Sequence, residues 1–332
     1  MKTGYWIAVA ALFASGCVTQ PPPARMDATI LKVDMSGPKP DFETWKADYM
    51  RRLEAGSRVI ETKLGPIEYA DVGEGVPYLF LHGTPGGYDQ SLASRNANPE
   101  AQAGIRTIAV SRPGYLRTPL SSGATFEQQA DLFVALLDEL KIKRVVVIAS
   151  SGGSYPGLQF ALRHPDRCTA LIMLAPAIGY EAFPDSEKQT PAQLARNERM
   201  MWSANEAMLA RILQGLDPTD PEQKAMAGAL AMSSVPAMAR NPGRENDRMQ
   251  RTDRAVDAWP LERIKVPTLI IHGTEDENSD YNLSVNAVAR IPNAKLVTLE
   301  GANHYFPLTR GPQMRRHISE FLSGVPGAGQ RN

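Results

Sequence analysis

A mainly parallel α/β sheet with helices on both faces and an inserted helical cap is the fold this sequence predicts. Three observations carry that prediction. Short continuous apolar runs recur at "VPYLFLH" (76–82), "RTIAVS" (106–111), "RVVVIA" (144–149), "TALIMLA" (169–175), "PTLIIH" (267–272) and "AKLVTLE" (294–300). Such runs suit strands buried on both faces, and stretches of helical period, including 125–140 and 153–164, lie between most of them. Finally, roughly 90 residues separate Ala175 from Pro267, too many for one crossover helix.

The elements follow in chain order. Lys2 precedes an apolar run from Tyr5 to Ala14 and then "ASGC", a length that suits a signal-peptide core and is too short to span a bilayer. "LFASGC" resembles a bacterial lipobox, with Ala14 where leucine is usual. That resemblance implies a lipoprotein-type signal peptide over 1–16, lipid on Cys17, and a membrane-anchored lipoprotein of the bacterial cell envelope, periplasmic or surface-facing. The second cysteine, Cys168, would then remain a lone thiol. Residues 17–40 are proline-rich and read as a tether. The first part of the core spans 41–176 and opens on a helix with Phe42, Trp45, Tyr49 and Leu53 on one face, Asp41 as N-cap and Gly56 as stop. Two short strands around a Gly65-Pro66 turn come next. The cap takes 177–260, where Met201, Met208 and Ile212 share a helical face. The second part of the core takes 261–324, and 325–332 reads as a flexible tail.

Lys plus Arg and Asp plus Glu both total 36, so net charge favours neither nucleic acid nor an anionic surface, and a small-molecule substrate is the partner expected. No metal-ligand cluster, phosphate loop or dinucleotide motif appears, so neither metal nor cofactor is expected.

In open α/β sheets reactive groups gather at the carboxyl ends of strands. Three such ends carry Ser151, Asp276 and His304, in that order along the chain. A tight strand-to-helix turn that presents a nucleophile needs small residues two before and two after it. Around Ser150 these positions hold Ile148 and Gly152, whereas around Ser151 they hold Ala149 and Gly153. Ser151 is therefore the candidate nucleophile, even though Ala149 departs from the common Gly-x-Ser-x-Gly.

The order and placement of these residues resemble the α/β-hydrolase fold superfamily over roughly 58–323. "HGTPGG" is similar to that superfamily's oxyanion segment, formed here by His82, Gly83, Thr84, Pro85 and Gly86. The resemblance implies backbone N–H donors at Thr84 and Gly152, with Gly83, Gly86 and Gly87 letting backbone approach substrate, and His82 as a structural residue. Asp276 lies at the third position after Gly273, as the family's acid does, with Glu275, Glu277 and Asp280 nearby. His304 in "LEGANHYFP" matches the family's base, and an ordinary imidazole titrates near pH ~6.5, which suits proton exchange with a serine. His164, His272 and His317 read as structural or exposed. Dehalogenases and epoxide hydrolases of this fold have aspartate where Ser151 stands, so neither activity is expected.

The implied function is hydrolysis of a carboxylic ester through an acyl-serine. The cap's seven methionines, with Trp202 and Trp259, suggest an adaptable apolar pocket. "HGTPGG" is also similar to the His-Gly-Gly-Pro-Gly-Gly of prolyl iminopeptidases, with Thr84 replacing a glycine. That alternative needs cap carboxylates such as Glu198 or Glu206 to hold a substrate amine. A catalytically silent binding lipoprotein is the third expectation.

Overall fold

The computed structural model describes residues 40–98, 100–179, 188–203, 215–217, 219–253 and 258–328. The signal peptide, most of the tether and Cys17 lie outside these residues. Helix α1 (Phe42–Ala55) is capped by Asp41, whose Oδ1 accepts from Thr44 N at 3.0 Å, and it buries the four residues its period predicts. Strands β1 (Arg58–Thr62) and β2 (Gly65–Val72) form the hairpin, but the turn is Lys63-Leu64. Gly65 and Pro66 already pair with Thr62 and Glu61. Pro66 is tolerated there because β2 pairs with β4 only from Tyr69 onward, so its missing N–H breaks no ladder on that side.

The remaining strands are β3 (Val76–Leu81), β4 (Ile105–Val110), β5 (Val145–Ser150), β6 (Cys168–Leu174), β7 (Thr268–Gly273) and β8 (Ala294–Leu299). They make one eight-stranded sheet in the order β1-β2-β4-β3-β5-β6-β7-β8, parallel from β4 to β8. Helices α3 (Phe126–Glu139) and α4 (Ser154–Arg163) bury one face with Leu79, Leu81, Val147 and Met173. Helix α2 (Tyr88–Ala97) packs on the other face.

Between β6 and β7 stand α5 (Pro191–Ser203), α6 (Pro221–Met232) and α7 (Ala237–Asp253). Two buried bidentate ion pairs dock α7 on the core. Arg240 donates to both oxygens of Asp89 at 3.0 and 2.8 Å, and Asp247 accepts from Arg112 at 2.9 and 2.6 Å. Desolvating such charges is costly, and only the full set of hydrogen bonds offsets it. The chain closes with α8 (Tyr281–Arg290), the single turn α9 (Phe306–Thr309) and α10 (Gly311–Ser323). Beyond α10, Val325 and Ala328 are buried against the sheet's second face. Packing therefore continues into the stretch that composition alone reads as a tail. Cys168 is fully buried at the start of β6, and burial pushes its thiol up to about 12.

Candidate active site

Ser151 stands between β5 and α4 with φ +48°, a left-handed conformation that non-glycine residues rarely hold. Close backbone contacts enforce this turn. A Cβ on Gly153 would lie 2.4 Å from Leu81 O, so the second position after the serine admits only glycine. Ala149, two residues before, is accommodated because Gly157 faces it, and a Cβ on Gly157 would come within 2.9 Å of Ala149 Cβ. One methyl group fits where two would clash, which is why alanine can replace the usual glycine.

The strand ends bring the three candidate residues together. His304 Nε2 lies 3.1 Å from Ser151 Oγ, and His304 Nδ1 lies 2.7 Å from Asp276 Oδ2. A carboxylate only accepts, so Nδ1 carries the proton and Nε2 is left to accept the serine's. The side chain of Asp276 is 0% exposed. Its Oδ1 accepts from the backbone N–H groups of Asn278 and Ser279, both at 2.9 Å, and Oδ2 also accepts from His272 Nε2 at 3.0 Å. Burial acts to raise the Asp276 pKa, but the hydrogen bonds from His272 and His304 outweigh it and hold the carboxyl well below the usual range. Glu275 and Glu277 point to solvent, and Asp280 caps α8 through Asn282 N.

The segment after β3 packs directly on the serine turn. A Cβ on Gly83 would sit 3.1 Å from Ser151 Cβ, and one on Gly152 would meet Thr84 Oγ1 at 2.4 Å and Thr84 N at 3.5 Å. The backbones of Thr84 and Gly152 are therefore neighbours beside Ser151, where two oxyanion donors would have to be. Gly86 and Gly87 have a different task from the one expected of them. Their missing side chains make room for His82 and Gln90, and for Leu116, Arg240 and Asp89, so they serve internal packing and not approach to substrate.

Residues 77–310 match the alpha/beta hydrolase fold family. The chain belongs to the α/β-hydrolase fold family. It is 27% identical to a 2-hydroxy-6-oxononadienedioate/2-hydroxy-6-oxononatrienedioate hydrolase of Cupriavidus pinatubonensis, across 83% of this chain and 99% of that protein. A solved α/β hydrolase fold protein from Nakamurella multipartita aligns with a TM-score of 0.66 and 30% identity, across 80% and 98% of the two chains. A structure of an N-acyl homoserine lactone degrading enzyme aligns with a TM-score of 0.56 and 25% identity, across 80% and 100%. With these relatives, the chain is a hydrolase.

Several residues that support the hydrolase's site lack a sequence motif. Gln90 on α2 accepts from Gly83 N at 2.8 Å and donates to Pro85 O at 3.0 Å, clamping the loop beside Ser151. Thr84 Oγ1 donates to Asp247 Oδ2 at 2.5 Å and accepts from Arg112 Nη2 at 3.2 Å, and Tyr115 OH donates to the same carboxylate at 2.6 Å. Cap helix α7 thus reaches the loop that packs on the Ser151 turn. His82 is structural, as expected: Nδ1 donates to Gly83 O at 2.7 Å and Nε2 accepts from Arg112 N at 2.9 Å. Burial, then the Arg112 charge, holds its imidazole well below the usual pKa. His272 is buried behind Asp276, with Ser284 Oγ 2.7 Å from its Nδ1.

A cavity of about 1040 Å³ opens in front of Ser151 and His304. Its cap wall includes Arg244, Arg248 and Arg251 of α7. Of the cap methionines, Met201 and Met226 line it, while Met200, Met238 and Met249 are exposed and Met232 is buried in the packing of α6. Trp259 packs on Phe126 and Tyr155, away from the cavity, and Met208 and Ile212 lie outside the described residues. Most of these methionines therefore do not shape the pocket as their number suggests.

Proposed function

We propose that this protein is a serine hydrolase that cleaves a carboxylic ester of a small or medium apolar substrate through an acyl-serine. The observation that carries the reading is the hydrogen-bonded relay from Ser151 through His304 to Asp276. In it, His304 Nε2 takes the serine proton as Oγ attacks the carbonyl carbon, then returns it to the leaving oxygen. Asp276 holds the imidazole's tautomer and offsets its charge. The oxyanion would accept from the Thr84 and Gly152 amides, and loss of one such donor typically costs about 10²–10³ in rate. Water activated by the same imidazole releases the acid.

The aminopeptidase alternative is disfavoured by Glu198. That carboxylate is 2% exposed, pairs with Lys46 at 2.5 Å, accepts from Ala237 N at 2.6 Å, and does not line the cavity. Glu206 lies outside the described residues. Turnover of p-nitrophenyl butyrate against proline p-nitroanilide tests the choice, and faster anilide cleavage would reverse it. The intact Ser-His-Asp contacts speak against a silent binding protein.

A second reading is favoured by the three cavity-lining arginines. The relatives' names describe hydrolysis of a nonadienedioate, a dicarboxylate; Arg244 and Arg248 share Glu245 at 3.2 and 3.1 Å and Arg251 donates to Tyr155 OH at 3.2 Å, so this wall carries more positive than negative charge toward a substrate carboxylate. Turnover of such a dioate faster than of butyrate esters would select it. The "LFASGC" sequence supports an envelope lipoprotein anchored at Cys17, and Cys17→Ala should then move the protein from the membrane to the soluble fraction.

A further inference from the structure

The lining of the cavity does not stop at the cap and the serine: it continues along the sheet to residues of α2 and α10, and this part of the space is its second arm. We propose that this arm holds an unbranched hydrocarbon chain of the substrate, an inference that rests on ester cleavage at Ser151 and names the substrate's lipophilic part. The floor is β3 and its neighbour: Tyr78 and Phe80, two residues apart, share one face, and Ile105 of β4 extends it. One wall is α10, where Met314, Ile318 and Leu322 recur every fourth residue and reach the cavity beside the small Ser319 and Ser323, and Ser91 and Gln102 are the polar residues of the opposite side. Opposite stand Ala93 and Ala101, whose small side chains leave unfilled the space that large ones would occupy.

The length of the arm follows from strand geometry. Leu81 ends β3 beside the serine, while Val76, five residues back, pairs with Ile105. At about 3.3 Å per residue the floor extends roughly 16 Å from the catalytic end. The one cation on this wall among the described residues is already engaged. Arg315 pairs with Glu222 of α6 at 2.5 and 3.2 Å, and Asn98 after α2 donates to the same carboxylate at 2.9 Å. That cluster ties α6, α10 and the end of α2 together at the arm while leaving no net charge to attract a polar group. Burial pushes the Tyr78 phenol up to about 12, as an apolar setting would. Interiors are close-packed, and an apolar space of this size is a poor site for ordered water.

The chain could belong to the acyl or to the alcohol part of the ester, so the test includes both. The full-length protein is assayed with p-nitrophenyl butyrate and decanoate, and separately with butyl and decyl acetate. Each buried methylene contributes about fourfold at most, so the series whose chain occupies the arm should gain at least tenfold in kcat/KM from four to ten carbons. Ile318→Trp should cut that ratio at least tenfold, with Leu322→Phe as a second filling variant should the first not fold. Binding of decanoate and decanol to Ser151→Ala, followed by calorimetry, separates the arm from the chemistry. If neither long chain binds more tightly than its four-carbon counterpart, or Ile318→Trp leaves that binding unchanged, the arm is wrong. Tight binding lost on filling, without turnover of any ester, would keep the arm and overturn ester cleavage. A gain with chain length that survives both filling variants also overturns the proposal.

Discussion

The core and the cap of this hydrolase are assembled by different means. Core residues around Ser151 are placed by local backbone: strand ends, a serine at φ +48°, and glycines whose absent side chains admit neighbouring chain. The cap is placed by long-range side-chain pairs, Arg112 to Asp247 across 135 positions and Arg240 to Asp89 across 151. Backbone turns set the position of the reactive atoms, whereas the buried charges decide how the cap and the loop carrying Thr84 are held against them. Substitutions in the two regions should therefore damage different quantities, turnover in one and stability with turnover in the other.

The largest effect expected is in the core. Ser151→Ala or His304→Ala should each lower kcat for the best ester by about 10⁴–10⁶, with little change in melting temperature. An equal loss from Ser150→Ala would move the nucleophile to Ser150.

Asp247→Ala should act on both quantities. It leaves the Arg112 guanidinium buried without its carboxylate, which costs about 3–5 kcal/mol of stability by thermal or urea unfolding. It also removes the acceptor of the Thr84 hydroxyl, leaving that side chain held by Arg112, and kcat should fall about tenfold to a hundredfold if Thr84 N is an oxyanion donor. A stable, fully active Asp247→Ala protein would show that the cap does not position the loop. Gln90→Ala, which leaves Gly83 N unpaired, should cost less, about 1–3 kcal/mol, with a smaller fall in kcat.

The smallest effect is a pH dependence of stability. The folded protein keeps His82 neutral because it is buried beside Arg112, while the unfolded chain protonates it below its ordinary pKa of ~6.5. Its contribution is thus full above pH ~6.5 and is lost as pH falls toward the depressed folded value. Unfolding free energy should decline there by up to about 1.4 kcal/mol per pH unit from this group. His82→Gln should flatten that slope; an unchanged slope would assign it elsewhere.

What the sequence reveals follows the same division. The strands and the meeting of Ser151, His304 and Asp276 at their ends are legible because burial on both faces and crowding at a turn constrain local residue types. Ala149 reads as small enough for that turn, but the reason it is tolerated, Gly157, lies one helical turn into α4 and leaves no local mark. Gln90, Asp247 and Arg112 have no such imprint, because a glutamine on a helix or an arginine after a strand reads like any surface residue until the fold buries it. The cap methionines misled for a related reason: composition records how many apolar side chains a segment has, not which side of its helices faces the cavity. The hairpin turn was displaced because Gly-Pro is a strong turn dipeptide, yet β2 could start there, ahead of its pairing with β4.

The most direct measurement is mass spectrometry of the folded protein after exposure to a fluorophosphonate. One adduct per chain is expected, mapped to Ser151, absent from Ser151→Ala and strongly slowed in His304→Ala. An adduct on Ser150, or labelling of the folded wild type that Ser151→Ala leaves unchanged, would contradict it.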